Sequence, residues 1–268
     1  MRQLPTAALL DHREDAPIVL VGEPKRLVGR IRLHNRAPTR VVLREARLCG
    51  APVDHLGKRA APQEFTIPLT AILAPDQQSA VTVKLSIDPQ APPGEYNADL
   101  VVGEHRYPVQ LHVAESISLS VAPAQLMVEN RPGSRVQKRM FFTNAGNVPL
   151  QIGNIGAVVL DDELLACKTI RATLDESADQ TKTIDQWVNS YLEQGKTLLK
   201  AIGMLWVELE AAPLNLQPGQ TAAANLTIRV PDSLDPRTRY RGVAFLYDAD
   251  IGFTVAPTGA EKRKRRES

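Results

Sequence analysis

The sequence predicts an all-β protein whose second half carries an inserted helical segment. Short runs that alternate apolar and polar residues, bounded by turns, fill most of the chain. Twenty prolines and sixteen glycines among 268 residues supply the turns. One stretch, residues 173–206, departs from this pattern because its apolar residues recur with the period of an α-helix.

The helical period is clearest over residues 184–192. Thr183 before this run, with Gln186 three positions later, is typical of a capping box at a helix start. Gly195 after the run predicts the left-handed residue that ends a helix. Residues 198–206 either form a second short helix or lead into a strand. Five apolar residues share one face of the predicted helix: Ile184, Trp187, Val188, Tyr191 and Leu192.

Strand signals fill the first half of the chain after residue 17. Residues 1–16 before them predict an N-terminal arm that is either poorly ordered or paired with a strand. Turns rich in proline and glycine separate the runs, and Gly103-Glu104 joins the last two as a hairpin. The predicted strands are 18–21, 27–34, 40–48, 65–67, 69–73, 81–87, 96–102 and 107–113.

The order of strands and turns begins again at residue 116. From Asn35 to Pro75 is 40 positions, whereas from Asn144 to Pro218 is 74. The second copy is therefore 34 residues longer, close to the length of the helical stretch 173–206. The matching segments are 26–38 with 135–147, 73–77 with 216–220, and Tyr96 with Tyr240.

Roughly seven short strands in each copy, with turn signals about every 8–12 residues, are typical of the immunoglobulin-like β-sandwich. We therefore expect two such sandwiches in tandem, each burying the inner faces of two sheets. The second sandwich is expected to carry the helical insertion. The predicted parts are an arm at 1–16, a sandwich at 17–115, a second at 116–257 with its insertion at 173–206, and a basic tail at 258–268.

Several framework segments carry a family resemblance. They are residues 119–123, 142–149, 216–220 and 240–242 in the second copy, and Asn35 with 93–96 in the first. These segments resemble the bacterial immunoglobulin-like modules of the PapD-like and MSP-like families. The resemblance covers most of both copies and implies the sandwich fold. Two such modules in tandem resemble the periplasmic pilus chaperones, which implies a protein that offers a strand edge to surface subunits.

The formal net charge of the chain is +2, from 32 basic and 30 acidic residues. Residues 261–267 contribute +3, so the remainder is close to neutral and lacks a general basic field for nucleic acid. The tail is either a solvated extension or binds an acidic partner, RNA or anionic lipid in a salt-sensitive manner. Its basic residues are Lys262, Arg263, Lys264, Arg265 and Arg266.

The expected compartment depends on the N-terminus. Residues 1–15 hold only a short apolar run, and no run approaches the roughly 18–20 apolar residues of a membrane span. We expect a cytoplasmic protein if this N-terminus is complete, and a periplasmic or cell-surface protein if a leader has been removed. Cys49 and Cys167 fall in different predicted domains, which excludes a disulfide framework within either.

The sequence carries no motif that argues for catalysis, a cofactor or a metal. Gly195-Lys196-Thr197 resembles the end of a phosphate-binding loop, but Ser190 stands where that motif requires glycine. The five histidines lack the spacing of a zinc site, and the acidic run 161–163 is typical of a solvated turn. Both cysteines are expected as small core residues. We therefore expect a non-enzymatic protein with no cofactor, against the alternative of an enzyme accessory module or unrecognised hydrolase.

The helical stretch is the most specific candidate for function. Its aromatic residues are of the types enriched at interface hot spots, and added surface elements tend to hold specific contacts. We predict a structural or adaptor protein of a larger bacterial assembly, which binds protein partners through strand edges and the helical face. No small-molecule substrate is expected. Two alternatives stay open, namely a PapD-like chaperone for pilus-type subunits and a helix that packs onto its own sandwich as a brace.

Overall fold

The computed structural model describes residues 8–10, 17–50, 64–102, 105–176, 183–199 and 203–258. The fold is all-β with two large sheets, and two helices follow one another in the second half of the chain. The chain divides into two compact units. Unit 1 comprises Met1–Ser118, Asn144–Leu150 and Gln217–Gln220, and unit 2 comprises Leu119–Thr143, Gln151–Leu216 and Thr221–Ser268.

Unit 1 is built on one eight-stranded sheet. Its strands are β1 Ala8–Leu10, β2 Ile18–Glu23, β3 Arg26–Asn35, β4 Val41–Cys49, β5 Glu64–Leu73, β6 Gln78–Leu85, β7 Gly94–Val102 and β8 His105–Val113. They pair in the order β1-β3-β2-β8-β7-β4-β5, and β6 also pairs with β3. Buried residues alternate with exposed ones along β3 and β6, so one face of each strand lies on a shared core. Leu20, Leu27, Leu48 and Leu111 are among the fully buried core residues.

The predicted N-terminal arm contributes a strand to unit 1. Ala8–Leu10 pairs antiparallel with Leu33–Asn35 of β3. The other residues of the arm lie outside the described part of the chain. The arm was expected to be either poorly ordered or paired with a strand. Its described residues fit the second expectation.

Unit 2 has ten strands and two helices. They are β9 Leu119–Ala122, β10 Gln125–Val128, β11 Arg135–Asn144, β12 Leu150–Ile152, β13 Gly156–Asp162, α1 Leu165–Glu176, α2 Ile184–Leu199, β14 Gly203–Leu209, β15 Leu214–Leu216, β16 Thr221–Arg229, β17 Tyr240–Leu246 and β18 Ala249–Val255. The large sheet runs β10-β18-β17-β13-β14-β16-β11-β9, and β12 pairs with β15. β13 pairs with β14 over residues 156–160 and with β17 at Asp161 and Asp162.

Several strand pairings of unit 1 have a counterpart in unit 2, whereas among the described residues β2–β3 of unit 1 and β14–β16 and β12–β15 of unit 2 have none. β3 pairs antiparallel with β6, and β11 does so with β16. The parallel pair β2–β8 has its counterpart in β10–β18, and the hairpin β7–β8 has its counterpart in β17–β18. β4 pairs with β5 and β7, as β13 pairs with β14 and β17. In this correspondence α1 and α2 lie in the β13–β14 connection, whose counterpart is the β4–β5 connection.

The two matching turns found in the sequence share one backbone arrangement. Asn35 N–H donates to the Gln77 carbonyl at 3.0 Å, and Asn144 N–H donates to the Gln220 carbonyl at 3.0 Å. In return, the carbonyls of the two asparagines accept from Asp76 N–H and Gly219 N–H. Both of these donors lie in the left-handed region, with φ of 58° and 73°. Each turn therefore closes onto the strand end in the same way.

The structure corrects the expected bounds of the helical stretch. The prediction that Gly195 ends the helix is wrong, because α2 continues to Leu199. A glycine inside a helix costs about 1 kcal/mol, and the lysine and leucines that follow it are good helix formers. Thr173 lies within α1 rather than at the start of the helical segment, and Trp206 lies in β14. For residues 198–206 we expected either a second short helix or a connection into a strand. The structure fits the second expectation, because β14 begins at Gly203.

Candidate interaction surface

The helices α1 and α2 pack against each other in the β13–β14 connection. The predicted capping box is present at the start of α2. Thr183 N–H donates to Gln186 Oε1 at 3.0 Å, and Gln186 N–H donates to Thr183 Oγ1 at 3.4 Å. These reciprocal bonds satisfy two of the backbone donors that a helix start leaves unpaired. The start of α2 is thus set by its own sequence.

The start of α1 is anchored by one carboxylate at the end of β13. Asp162 Oδ1 accepts from Leu164 N–H at 2.8 Å, which caps the helix. Asp162 Oδ2 accepts from Lys168 Nζ at 2.5 Å, and the same ammonium donates to Thr238 Oγ1 at 3.0 Å. Asp162 therefore joins the first two turns of α1 to the strand, and Lys168 joins them to the loop before β17.

The other acidic residues beside this anchor are also partly paired. Glu163 Oε2 forms an ion pair with Arg239 Nε at 3.9 Å, and Glu163 forms a closer ion pair with Arg241. The acidic run 161–163 was expected as a solvated turn, and two of its three carboxylates are instead ion-paired. Among the residues that the structure describes, no group of three or more histidine, cysteine, aspartate or glutamate side chains could hold a metal ion.

α1 buries a polar stripe rather than an apolar one. Thr169 and Thr173, one turn apart, are the buried residues of its described face. Thr173 Oγ1 donates to the Thr169 carbonyl at 2.8 Å, which satisfies the buried hydroxyl within the helix. Cys167 is exposed, so its expected place in a core is wrong, whereas Cys49 is half-buried. Cys167 misses the core because it lies away from the threonine stripe.

The five apolar residues predicted to share a face of α2 divide into two groups. Trp187 and Tyr191 are half-buried, and their rings stack with centroids 5.6 Å apart and planes 14° apart. Ile184, Val188 and Leu192 lie one turn apart in a row and are exposed to solvent. Ile184 retains 82% of its accessible surface, the largest fraction among the exposed large apolar residues described.

α1 exposes apolar side chains as well. Leu164 just before the helix, and Ile170 and Leu174 within it, have between 42% and 55% of their surface in solvent. Ile170 and Leu174 are one turn apart, so they form a row of their own. Among the described residues, the two helices and Leu164 together therefore expose six large apolar side chains. We call these residues, with the Trp187–Tyr191 stack, the helical surface.

A second exposed apolar group lies on β17. Val243, Phe245 and Tyr247 are exposed, and Phe245 retains 74% of its surface. The pairing of β17 with β13 involves only Tyr240 and Arg241 among the described residues. The β13 backbone also lies beside Gly242 at the Val159 carbonyl, so the exposed apolar side chains of Val243 and Phe245, rather than a free strand edge, distinguish this part of β17.

One predicted site, the basic tail, cannot be placed on the structure. The basic tail residues Lys262, Arg263, Lys264, Arg265 and Arg266 lie outside the described residues. No helix in the described part of the chain is long and apolar enough to span a membrane. The five residues of the predicted partner-binding face are all described, and their role in binding stays a prediction.

Comparisons with known proteins give no family for this chain. No family model and no curated protein matches it. A solved structure of a protein of unknown function from Porphyromonas gingivalis W83 is 10% identical and covers 93% of this chain and 99% of its own, with a TM-score of 0.23. Red sea bream transglutaminase is 11% identical over 97% of this chain and 32% of its own, with a TM-score of 0.27. A titin fragment is 7% identical and covers 95% of this chain and 100% of its own, with a TM-score of 0.27. TM-scores this low carry no argument, so the description of the fold rests on the strand pairings.

Proposed function

We propose that this protein is a non-catalytic adaptor of a larger bacterial assembly and binds a protein partner on its helical surface. The observation that carries the proposal is the exposure of the α2 row, above all of Ile184. Large apolar residues are exposed at one-turn spacing on each of two helices that pack together, and exposed apolar surface of this kind is typical of binding sites. A partner that covers them removes apolar surface from water at about 25 cal/mol per Å².

The architecture proposed for this adaptor is two immunoglobulin-like β-sandwiches in tandem, the second with a helical insertion. The strand pairings that the two units share support the repeat. The place of α1 and α2 between β13 and β14 supports an insertion, because β13 pairs with β14 and β17 as β4 pairs with β5 and β7. Inserted helices that are not needed for the strand pairing of the sandwich can instead contact a partner protein.

The partner is proposed to present an apolar groove to α2. Ile184, Val188 and Leu192 have the spacing with which an amphipathic helix fills such a groove. The stacked rings of Trp187 and Tyr191 stand beside them, and aromatic side chains dominate binding energy at many interfaces. Polar residues border the row at Asp185, Asn189 and Glu193 and supply the hydrophilic rim that a specific interface has.

The test compares two neighbouring substitutions on α2. Val188→Glu places a charge in the apolar row, and Asn189→Glu places the same charge on the adjacent exposed polar position. Tagged full-length protein is used for affinity capture from native cells, and bound proteins are quantified by mass spectrometry. We expect one or more proteins to be captured by the wild type and by Asn189→Glu and to be lost with Val188→Glu. Ile184→Glu repeats the test at a side chain with little packing to lose.

Two results would contradict the adaptor proposal. The first is equal capture by all variants, with far-ultraviolet circular dichroism showing that each remains folded. The second is self-association, in which light scattering shows a dimer of the wild-type chain and a monomer of the Val188→Glu variant. In that case the helical surface is a contact between copies of this chain.

A second candidate is a PapD-like chaperone for surface subunits, and the exposed apolar side chains of Val243 and Phe245 on β17 favour it. A chaperone of this kind would take an extended segment beside residues 243–246, with Val243 and Phe245 against its apolar side chains. The distinguishing probe is a synthetic peptide that alternates isoleucine and threonine. Binding abolished by Phe245→Asp and unaffected by Ile184→Glu would support the chaperone, and the reverse pattern would support the adaptor.

A further inference from the structure

We propose that a second surface, on unit 1, binds an acidic extended segment of a protein partner. The surface consists of Arg30 and Arg32 on β3 and Lys84 on β6, which we call the basic strip. This inference is independent of the helical surface, since it involves different residues in a different unit.

Strand register places the three basic side chains on one face. Arg30 and Arg32 are exposed and alternate with buried Ile31 and Leu33. Arg30 and Arg32 are two positions apart, which is about 7 Å along a strand. Their side chains therefore project from the same face of β3 at that spacing. Lys84 on β6 pairs with Val28, which makes it the diagonal neighbour of Arg30 on the same face.

The charge of the strip is not compensated within the described residues. Neither β3 nor β6 contains an aspartate or glutamate. Acidic groups stand only at the two ends of β3, where Glu23 pairs in register with Arg26 and Asp76 Oδ1 bonds His34 Nε2 at 2.8 Å. The three cations between these ends repel one another, and an incoming carboxylate relieves that repulsion.

The scaffold itself does not require this strip. Counted back from the two matching asparagines, Phe141 of β11 occupies the place of Arg32, and Arg139 that of Arg30. Counted forward from the matching glutamines, Thr227 of β16 occupies the place of Lys84. In unit 2 this face is internally satisfied, because the Arg139 guanidinium lies over the Phe141 ring at 5.6 Å and the Thr227 hydroxyl donates to Glu210. The basic strip is thus a feature of unit 1 and not of the repeated fold.

The chemistry of the strip favours an acidic peptide over other anions. Single-stranded nucleic acid binding relies on aromatic stacking, and no phenylalanine, tyrosine or tryptophan occurs on β3 or β6. Membrane-binding basic clusters contain about 4–8 lysines and arginines, and this face lies at the lower limit of that range even when Arg26 at the start of β3 is counted with the strip. An extended peptide with carboxylates at alternate positions has the same repeat of about 7 Å as the strip. The guanidinium groups of Arg30 and Arg32 can also each bind a carboxylate through two parallel N–H···O hydrogen bonds.

The test measures binding of a labelled peptide to the full-length chain by fluorescence anisotropy. The probe alternates glutamate and threonine over about ten residues, a length that spans the strip. A glutamine–threonine peptide, an oligothymidylate and phosphatidylserine vesicles serve as comparison ligands. The double variant Arg30→Glu with Arg32→Glu is compared with Arg139→Glu, which reverses the charge at the corresponding place of unit 2. Arg30→Gln with Arg32→Gln removes the charge without reversing it.

We expect saturable binding of the glutamate peptide that weakens as salt is added, because exposed charges are screened. The Arg30 and Arg32 reversal is expected to weaken it by about tenfold, and Arg139→Glu and Val188→Glu to leave it unchanged. The proposal is overturned if the glutamate peptide does not bind or binds the double variants equally well. Preferential binding of the oligothymidylate or the vesicles would also overturn it.

Discussion

Asn35 and Asn144 hold the same side-chain hydrogen bonds at the ends of β3 and β11. Each Oδ1 accepts from the backbone N–H two residues later, at Ala37 and Gly146, over 2.9 and 3.0 Å. Each Nδ2 donates 2.8 Å to the carbonyl four residues later, at Thr39 and Val148. Both asparagines are fully buried. A short amide side chain thus organises the turn that follows β3 and the turn that follows β11.

We expect Asn35→Ala to destabilise unit 1 by about 3 kcal/mol. Asn35 Nδ2 donates not only to Thr39 but also to the Leu73 and Ala74 carbonyls, at 3.1 and 2.9 Å. Each lost hydrogen bond costs about 1 kcal/mol, and a buried group left unpaired costs more. Denaturant unfolding followed by circular dichroism measures the effect. Asn35→Asp keeps the acceptor and loses the donors, so it should also destabilise; wild-type stability in both variants would contradict this account of the turn.

Tyr96 should make unit 1 sensitive to alkaline conditions. Burial raises the pKa of the Tyr96 hydroxyl above its ordinary value, and the group donates to the Pro92 carbonyl at 2.6 Å. Its contribution to stability is therefore complete below the ordinary tyrosine pKa of about 10 and is lost as pH rises through the raised pKa. Tyr96→Phe should unfold at lower denaturant at neutral pH, by about 1 kcal/mol, and lose less stability above pH 10 than the wild type. Tyr247→Phe, which removes another bond to a backbone carbonyl, is the control. Equal alkaline losses in Tyr96→Phe and the wild type would refute the assignment.

The Asp162 anchor gives a prediction about the dynamics of α1. Asp162→Ala removes both the bond to Leu164 N–H and the partner of Lys168, whereas Asp162→Asn can keep the first. We expect Asp162→Ala to lower local stability by about 1–2 kcal/mol and Asp162→Asn by less. Hydrogen exchange of the α1 amides measures both effects. If the two variants exchange at the wild-type rate, the carboxylate does not anchor the helix.

The capping box of α2 should matter locally and not globally. Thr183→Ala removes the hydroxyl that accepts from Gln186 N–H, which typically costs about 1 kcal/mol. We expect faster hydrogen exchange in the first turn of α2 and an unchanged melting temperature of the sheet. Thr183→Ser, which keeps the hydroxyl, should restore the wild-type rate. An equal effect of both substitutions would mean that the side chain oxygen is not the cap.

The strands and the matching turns could be predicted from the sequence because their signals are local. Alternation of apolar and polar residues reflects one buried face per strand, as β3 shows. The turns of Asn35 and Asn144 share side-chain chemistry that is visible in the residue types alone. The start of α2 was equally readable, since its capping box involves only Thr183 and Gln186.

α1 could not be predicted in the same way. Its buried stripe consists of Thr169 and Thr173, which are β-branched and polar, so no apolar period marks the helix. The basic strip was missed for another reason. Arg30 and Lys84 are far apart in the sequence, and only the register of β3 with β6 brings them to one face. Net charge near neutrality conceals such a local arrangement.

The most direct test of the adaptor account replaces α1 and α2, Leu165–Leu199, with a short asparagine–glycine turn in the full chain. Affinity capture from native cells and thermal unfolding are then measured on the same preparation. The account predicts a β-sheet spectrum and a melting temperature close to those of the wild type, together with loss of the partner that Val188→Glu also loses. Retention of that partner by the shortened chain, or collapse of unit 2 without its helices, would contradict the claim that the helical surface is a docking element.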